Sequence, residues 1–195
     1  VVNLVAGAVR PDAGAIVFFG KDVAGRAPHE VARLGIARTF QLTSPFSSLS
    51  VHENAAVGAL FAASGGKLPR AEAFAVAGRV LEDVGLWPKR GYLGSQLTVA
   101  DRKRLELARA LAMRPKLLLL DEVMSGLNPH EVDELLPVIR KVHESGVAIL
   151  VIEHVMRAIA GLSSRVVVLH QGKLLATGTP AEIAADPAVI REYLG

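Results

Sequence analysis

Residues 116–131 read KLLLLDEVMSGLNPHE. Four leucines run straight into Asp121 and Glu122, the pattern of a strand buried on both faces that delivers two carboxylates at its end. Pro129 near the start of the following apolar-periodic run predicts a helix over PHEVDELLPVIRKVHES, with Pro137 as a possible kink. Downstream come a strand in VAILVIEH, a helix in VMRAIAGLSS and a strand in RVVVLHQG. The run VVVLHQGKLLATG predicts a hairpin turning at Gln171 and Gly172, and PAEIAADPAVIREYLG a closing helix.

Upstream, residues 15–20 (AIVFFG) predict a strand bounded by turn residues. PHEVARLGIARTFQ predicts a helix from Pro28 that breaks near Gly35 and leads into a short strand ending at Gln41. Residues 50–94 are Ala-rich and helical, opened by SVHE, in which Ser50 and Glu53 form a capping box. A helix over residues 98–113 then feeds the leucine strand. Strands alternating with helices, most of them unbroken apolar runs, predict an α/β fold with a mostly parallel sheet covered on both faces, interrupted by an all-helical insert.

Composition narrows the classes. At 195 residues and 51% apolar, the chain can bury a sizeable core. Its net charge of +3 is spread along the sequence, which argues against a nucleic-acid partner. No apolar run reaches the roughly 18–20 residues that span a bilayer. The absence of cysteine removes disulfides, thiolate metal sites and thiol catalysis together.

Parallel α/β sheets bind ligands beyond the carboxyl ends of their strands. Asp121 and Glu122 stand at one such end, His154 at the next and Gln41 at an earlier one. Singly, each has a plain structural reading: an Asp after a strand caps a loop, and a lone His packs. Together they indicate a site. Successive residues on a pleated strand point to opposite sides, so one carboxylate can help hold a hard cation such as magnesium, partly through water, while the other faces the reacting atoms. Magnesium normally comes with phosphates. The expected glycine-rich cradle, G-x-x-x-x-G-K-S/T, is absent: the pairs Gly20–Lys21, Gly66–Lys67 and Gly172–Lys173 lack both the preceding glycine and the following hydroxyl. The opening VVNLVAGAVRPDAG reads as the last turns of a helix, so the expected place of that loop is just ahead of Val1, and the chain is expected to be N-terminally truncated.

With these motifs in order, the sequence resembles the ATP-binding subunit of an ABC transporter. ARTFQ resembles the loop ending in Gln41, LTVADRKRLELARAL the signature segment, LLLLDE the Walker B strand, SGLN the D-loop and VIEHVM the switch histidine. PHEVARLGIARTFQ, RLELARALAMRPKLLLLDE and PAVIREYLG are similar to the subgroup serving branched-chain amino acid uptake. The resemblance implies a P-loop NTPase-like ABC ATPase core with ATP and Mg as cofactors. It divides the chain into a partial N-terminal core (1–44), a helical subdomain with the signature helix (45–113) and a C-terminal core (114–195). It implies that Asp121 assists magnesium, Glu122 polarises the attacking water, His154 contacts the γ-phosphate and Gln41 senses metal and water, with Thr98 and Asn128 at the nucleotide. It also implies a second ATP-binding subunit, transmembrane permease subunits docked on the helical insert, and a peripheral place at the cytoplasmic face of the inner or plasma membrane.

The signature departs from the common LSGGQ. Leu97 is kept and Thr98 keeps a hydroxyl, but Val99 and Ala100 replace the glycines. Asp101 is expected to form a capping box with Thr98 and to add negative charge near phosphate. Val123 stands where the family has Pro, and Asn128 where it has Asp. Two classes of function follow: an ATPase subunit that couples hydrolysis to transport, or a non-catalytic module that pairs with an intact ATPase subunit. A relation to ABC proteins acting on DNA or ribosomes is disfavoured by the short insert, which lacks long heptads or a basic arm.

Overall fold

The computed structural model describes residues 1–39, 45–61 and 68–194. They form two compact units, Val1–Ile152 and Glu153–Gly195.

In the first unit the leucine run becomes β4 (Leu117–Asp121). It is the middle of a three-stranded parallel sheet, between β3 (Ile36–Arg38) and β5 (Ala148–Ile152). Leu118, Leu119 and Leu120 have no exposed surface, which is why this strand carries no polar residue until its end. The register sets Arg38 opposite Leu119 and Asp121 opposite Ile152. Leu119, Ile36, Val31 of α2 (Pro28–Arg33) and Val2 of α1 (Val2–Val5) make one core cluster. On α6 (Pro129–Glu144) the buried positions Val132, Leu135, Leu136, Ile139 and Val142 recur at helical spacing, and the helix runs through Pro137.

The expected strand over residues 15–20 is a tight hairpin instead. β1 (Val17–Phe18) pairs antiparallel with β2 (Lys21–Asp22) through Phe19 and Gly20, whose φ values of 47° and 75° make a two-residue primed turn. Phe19 resembles a strand residue by composition, which hid the turn.

The insert packs three helices: α3 (Val51–Leu60), α4 (Arg70–Asp83) and α5 (Val99–Ala112). Ser50 caps α3 with the reciprocal Glu53 arm, as the SVHE motif predicts. Small residues let the helices close up, with Ala59, Ala73, Val76 and Ala112 at their centre. A Cβ on Gly58 of α3 would lie 2.2 Å from the Arg109 carbonyl oxygen of α5. Asn54 is buried and fully used: its carbonyl accepts from the Phe46 N–H at 2.8 Å, and its amide donates to the carbonyls of Phe46, Leu49 and Ser50.

The second unit holds α7 (Met156–Leu162), an antiparallel pair of β6 (Val166–His170) and β7 (Lys173–Gly178), α8 (Pro180–Ala185), α9 (Pro187–Val189) and a π-helical turn. The predicted turn at Gln171 and Gly172 is present, with φ values of 47° and 77°.

Candidate functional site

Asp121 leaves the sheet at the carboxyl end of its central strand. The Arg38 guanidinium, at the end of the neighbouring β3, donates from Nη2 to Asp121 Oδ2 at 2.9 Å and from Nη1 to Asn3 Oδ1 at 2.6 Å. Thr39 completes the lacing: its N–H donates to the Leu119 carbonyl at 3.0 Å, and its hydroxyl accepts from the Asp121 N–H at 3.3 Å. The described contacts of the Asp121 side chain use Oδ2 alone. A single hard carboxylate with an oxygen to spare suits magnesium, which keeps several waters and takes its other ligands from phosphates. Among the described residues no cluster of three or more His, Asp and Glu forms a self-sufficient metal cage.

Glu122 does not continue the pleat. Its φ is +49°, so a sharp turn after β4, rather than strand alternation, sets the direction of its side chain relative to Asp121. Among the described residues three other non-glycine residues have positive φ: Phe19 and Gln171 sit in two-residue hairpin turns, and Arg114 follows the end of α5, donating its N–H to the Leu111 carbonyl. Glu122 has neither excuse. Its left-handed backbone is maintained by three contacts. The Glu122 N–H donates to the Ile152 carbonyl at 2.9 Å, and its own carbonyl accepts from Ser125 N–H at 3.1 Å and from Lys103 Nζ at 3.2 Å. Non-glycine backbone held in this region costs about 1–3 kcal/mol and concentrates at functional sites.

After Glu122 the loop is pinned by Val123 and Met124, each 1% exposed, so the residue standing where the family has Pro serves as a core plug. Asn128 is exposed and caps α6: its side chain accepts from the Glu131 N–H at 3.0 Å while Glu131 accepts from the Asn128 N–H at 2.9 Å. Asn supports this box without the charge of Asp.

Thr98 is exposed at the N-cap of α5 and accepts from the Asp101 N–H at 3.2 Å. The expected reciprocal arm is different. The Asp101 carboxylate accepts hydrogen bonds from the Thr98 hydroxyl at 2.9 Å and from the Lys89 ammonium at 2.5 Å. Asp101 is buried, so its charge is spent on Lys89 rather than presented bare to an incoming phosphate. His154 is exposed, two residues past β5, in the second unit. Gln41 lies outside the described residues. In the NAAVGALFAA stretch, Ala55, Ala56 and Ala59 are core, Phe61 is 60% exposed, and the last two residues lie outside the described ones.

Sequence reading missed Arg38, Thr39 and Lys103. Each is an ordinary residue in its motif, and only strand register and helix packing bring it to the acidic doublet. A signal existed for Lys103, the lysine at the apolar-periodic face of α5.

The profile of the ABC transporter family matches residues 1–125, and one described as branched-chain amino acid ATP-binding cassette transporter matches residues 173–195. The chain is 36% identical over 207 residues to the high-affinity branched-chain amino acid transport ATP-binding protein BraF of Pseudomonas aeruginosa, covering 100% of this chain and 81% of that one. It is 35% identical to the lipopolysaccharide export system ATP-binding protein LptB of Acidithiobacillus ferridurans, covering 98% and 78%. A solved ADP conformation of an ATP-binding cassette of an ABC transporter superposes with a TM-score of 0.86 at 25% identity, covering 100% of this chain and 82% of that one. The likeness extends over the whole described fold, and the chain belongs to the ATP-binding cassette family of ABC transporters.

Proposed function

We propose that the chain is the nucleotide-binding subunit of an importer for branched-chain amino acids, coupling ATP hydrolysis to transport. The observation that carries the catalytic part is Glu122: a carboxylate at the end of the buried central strand, on a backbone held left-handed from three sides. Phosphoryl transfer depends mainly on positioning and on charge stabilisation, and a fixed carboxylate is what orients an attacking water. A magnesium ion held here would supply charge stabilisation to the phosphates. Asp121 would hold it, partly through water and with Gln41, while Arg38 keeps the Asp121 carboxylate turned to the strand end. His154 would contact the γ-phosphate. No G-x-x-x-x-G-K-S/T run occurs in the 195 residues.

Identity to a branched-chain amino acid transport subunit and to a lipopolysaccharide export subunit differs by a single percentage point, 36% against 35%, and does not choose the solute. The profile over residues 173–195 favours branched-chain amino acids. In this reading residues 45–113 form the helical subdomain that docks on transmembrane permease subunits, and a second ATP-binding subunit receives Thr98 at its nucleotide. The protein works as a peripheral subunit at the cytoplasmic face. Among the described residues no helix is long and apolar enough to cross a membrane.

A second reading, a non-catalytic module paired with an intact ATPase subunit, is favoured by the signature: the Thr98 hydroxyl already donates its hydrogen bond to Asp101. Glu122→Gln separates the two, measured in the form of the protein assembled with its partners that turns over ATP. Under the catalytic reading kcat falls about 100-fold or more while ATP binding persists. Turnover unchanged by the substitution refutes the role of Glu122 and leaves the pairing module.

A further inference from the structure

We infer that Lys103 of α5 is a positioning residue for the Glu122 carboxylate, a step that rests on the catalytic reading of Glu122. Lysine is almost never buried unless its ammonium has a partner, yet Lys103 is 5% exposed. Its ammonium donates to the main-chain carbonyl of Glu122, at 3.2 Å from Nζ. That carbonyl follows a residue at φ +49° and also receives the Ser125 N–H, so both of its lone pairs are used. The N–H on the other side of Glu122 is tied to Ile152 of β5.

The peptide units flanking Glu122 are thus clamped by different elements: β5 holds one, and the signature helix, through a single buried ammonium, holds the other. Remove the ammonium and the carbonyl keeps one donor from its own loop. The turn can then relax toward the ordinary right-handed basin, which swings the Cα–Cβ bond of Glu122 away from its direction. Lys103 touches neither nucleotide nor water in this scheme. It acts through the backbone of the residue that does. The same helix begins at Thr98, so its N-cap and the Glu122 turn are joined through five residues of rigid backbone.

The test is steady-state hydrolysis by the assembled, ATP-hydrolysing protein carrying Lys103→Met, Lys103→Arg or Glu122→Gln. Lys103→Met is expected to lower kcat about 100-fold, the scale of a small misplacement of a reacting group, with KM for ATP within about twofold of the parent. Lys103→Arg, which can still donate to the carbonyl, is expected to recover most of that loss. Parent-like kcat in Lys103→Met overturns the inference. So does an equal loss in the Met and Arg variants that tracks a lowered melting temperature, the mark of a structural lysine. If the Met variant does not fold, Lys103→Leu, which has no donor, replaces it, and parent-like kcat there overturns the inference equally. Glu122→Gln reports separately: full turnover by that variant defeats the reading of Glu122 itself, whatever Lys103 does.

Discussion

Replacing Arg38 by Met removes the cation that holds Asp121 and leaves a similar stem in the strand. At 2.9 Å and an effective dielectric of about 20, the attraction is about 6 kcal/mol before desolvation is counted. The two side chains are 15% and 19% exposed, so both lost hydration on folding and much of that attraction is cancelled. A hydrogen bond to a charged group nets about 1.5–3 kcal/mol, and the coupling between Arg38 and Asp121 should fall near 2. The single substitution should cost about 3 kcal/mol, because the Asn3 carbonyl also loses its donor. A double-mutant cycle of Arg38→Met with Asp121→Asn, read by urea unfolding, isolates the coupling. Half a molar salt should weaken it little, since the pair is mostly shielded from solvent. A coupling below about 0.3 kcal/mol would refute the idea that this ion pair orients the strand-end carboxylate.

Gly58→Ala should destabilise by about 1–2 kcal/mol in the same unfolding assay. Alanine gains about 1 kcal/mol of helix propensity, but its Cβ would stand 2.2 Å from a carbonyl of a packed neighbouring helix, and overpacking of that kind costs more. A variant as stable as the parent would disprove the close α3–α5 approach. Glu53 accepts the Ser50 N–H first and the Ser50 hydroxyl second, and its carboxyl is held below the ordinary 4.5. Its contribution is therefore full above the ordinary carboxylate range and is lost as pH falls through the depressed folded value. Glu53→Gln, which removes the titrating carboxylate, should flatten the acid limb of the stability profile, and an unchanged limb would contradict the capping role.

Much of the local architecture was legible because it is written at short range. Ser50 and Glu53 announce a helix start three residues apart, Gln171 and Gly172 a hairpin between two apolar runs, and four leucines a strand with no wet face. The departures had one local and one longer-range cause. Phe19 sits in a turn although its composition says strand, and the Asp101 arm of the Thr98 cap was captured by Lys89, a residue from another segment.

The sequence by itself determined the order of strands and helices, the acidic doublet at a strand end, and the family, since each depends on residue types at fixed spacing. Only the tertiary structure decided how the doublet is held. Arg38 meets Asp121 across 83 positions and Lys103 meets Glu122 across 19, through parallel register and helix packing that no local pattern encodes. The left-handed turn at Glu122 belongs to the same class: a glutamate has no intrinsic preference for it, and only surrounding contacts can hold it there.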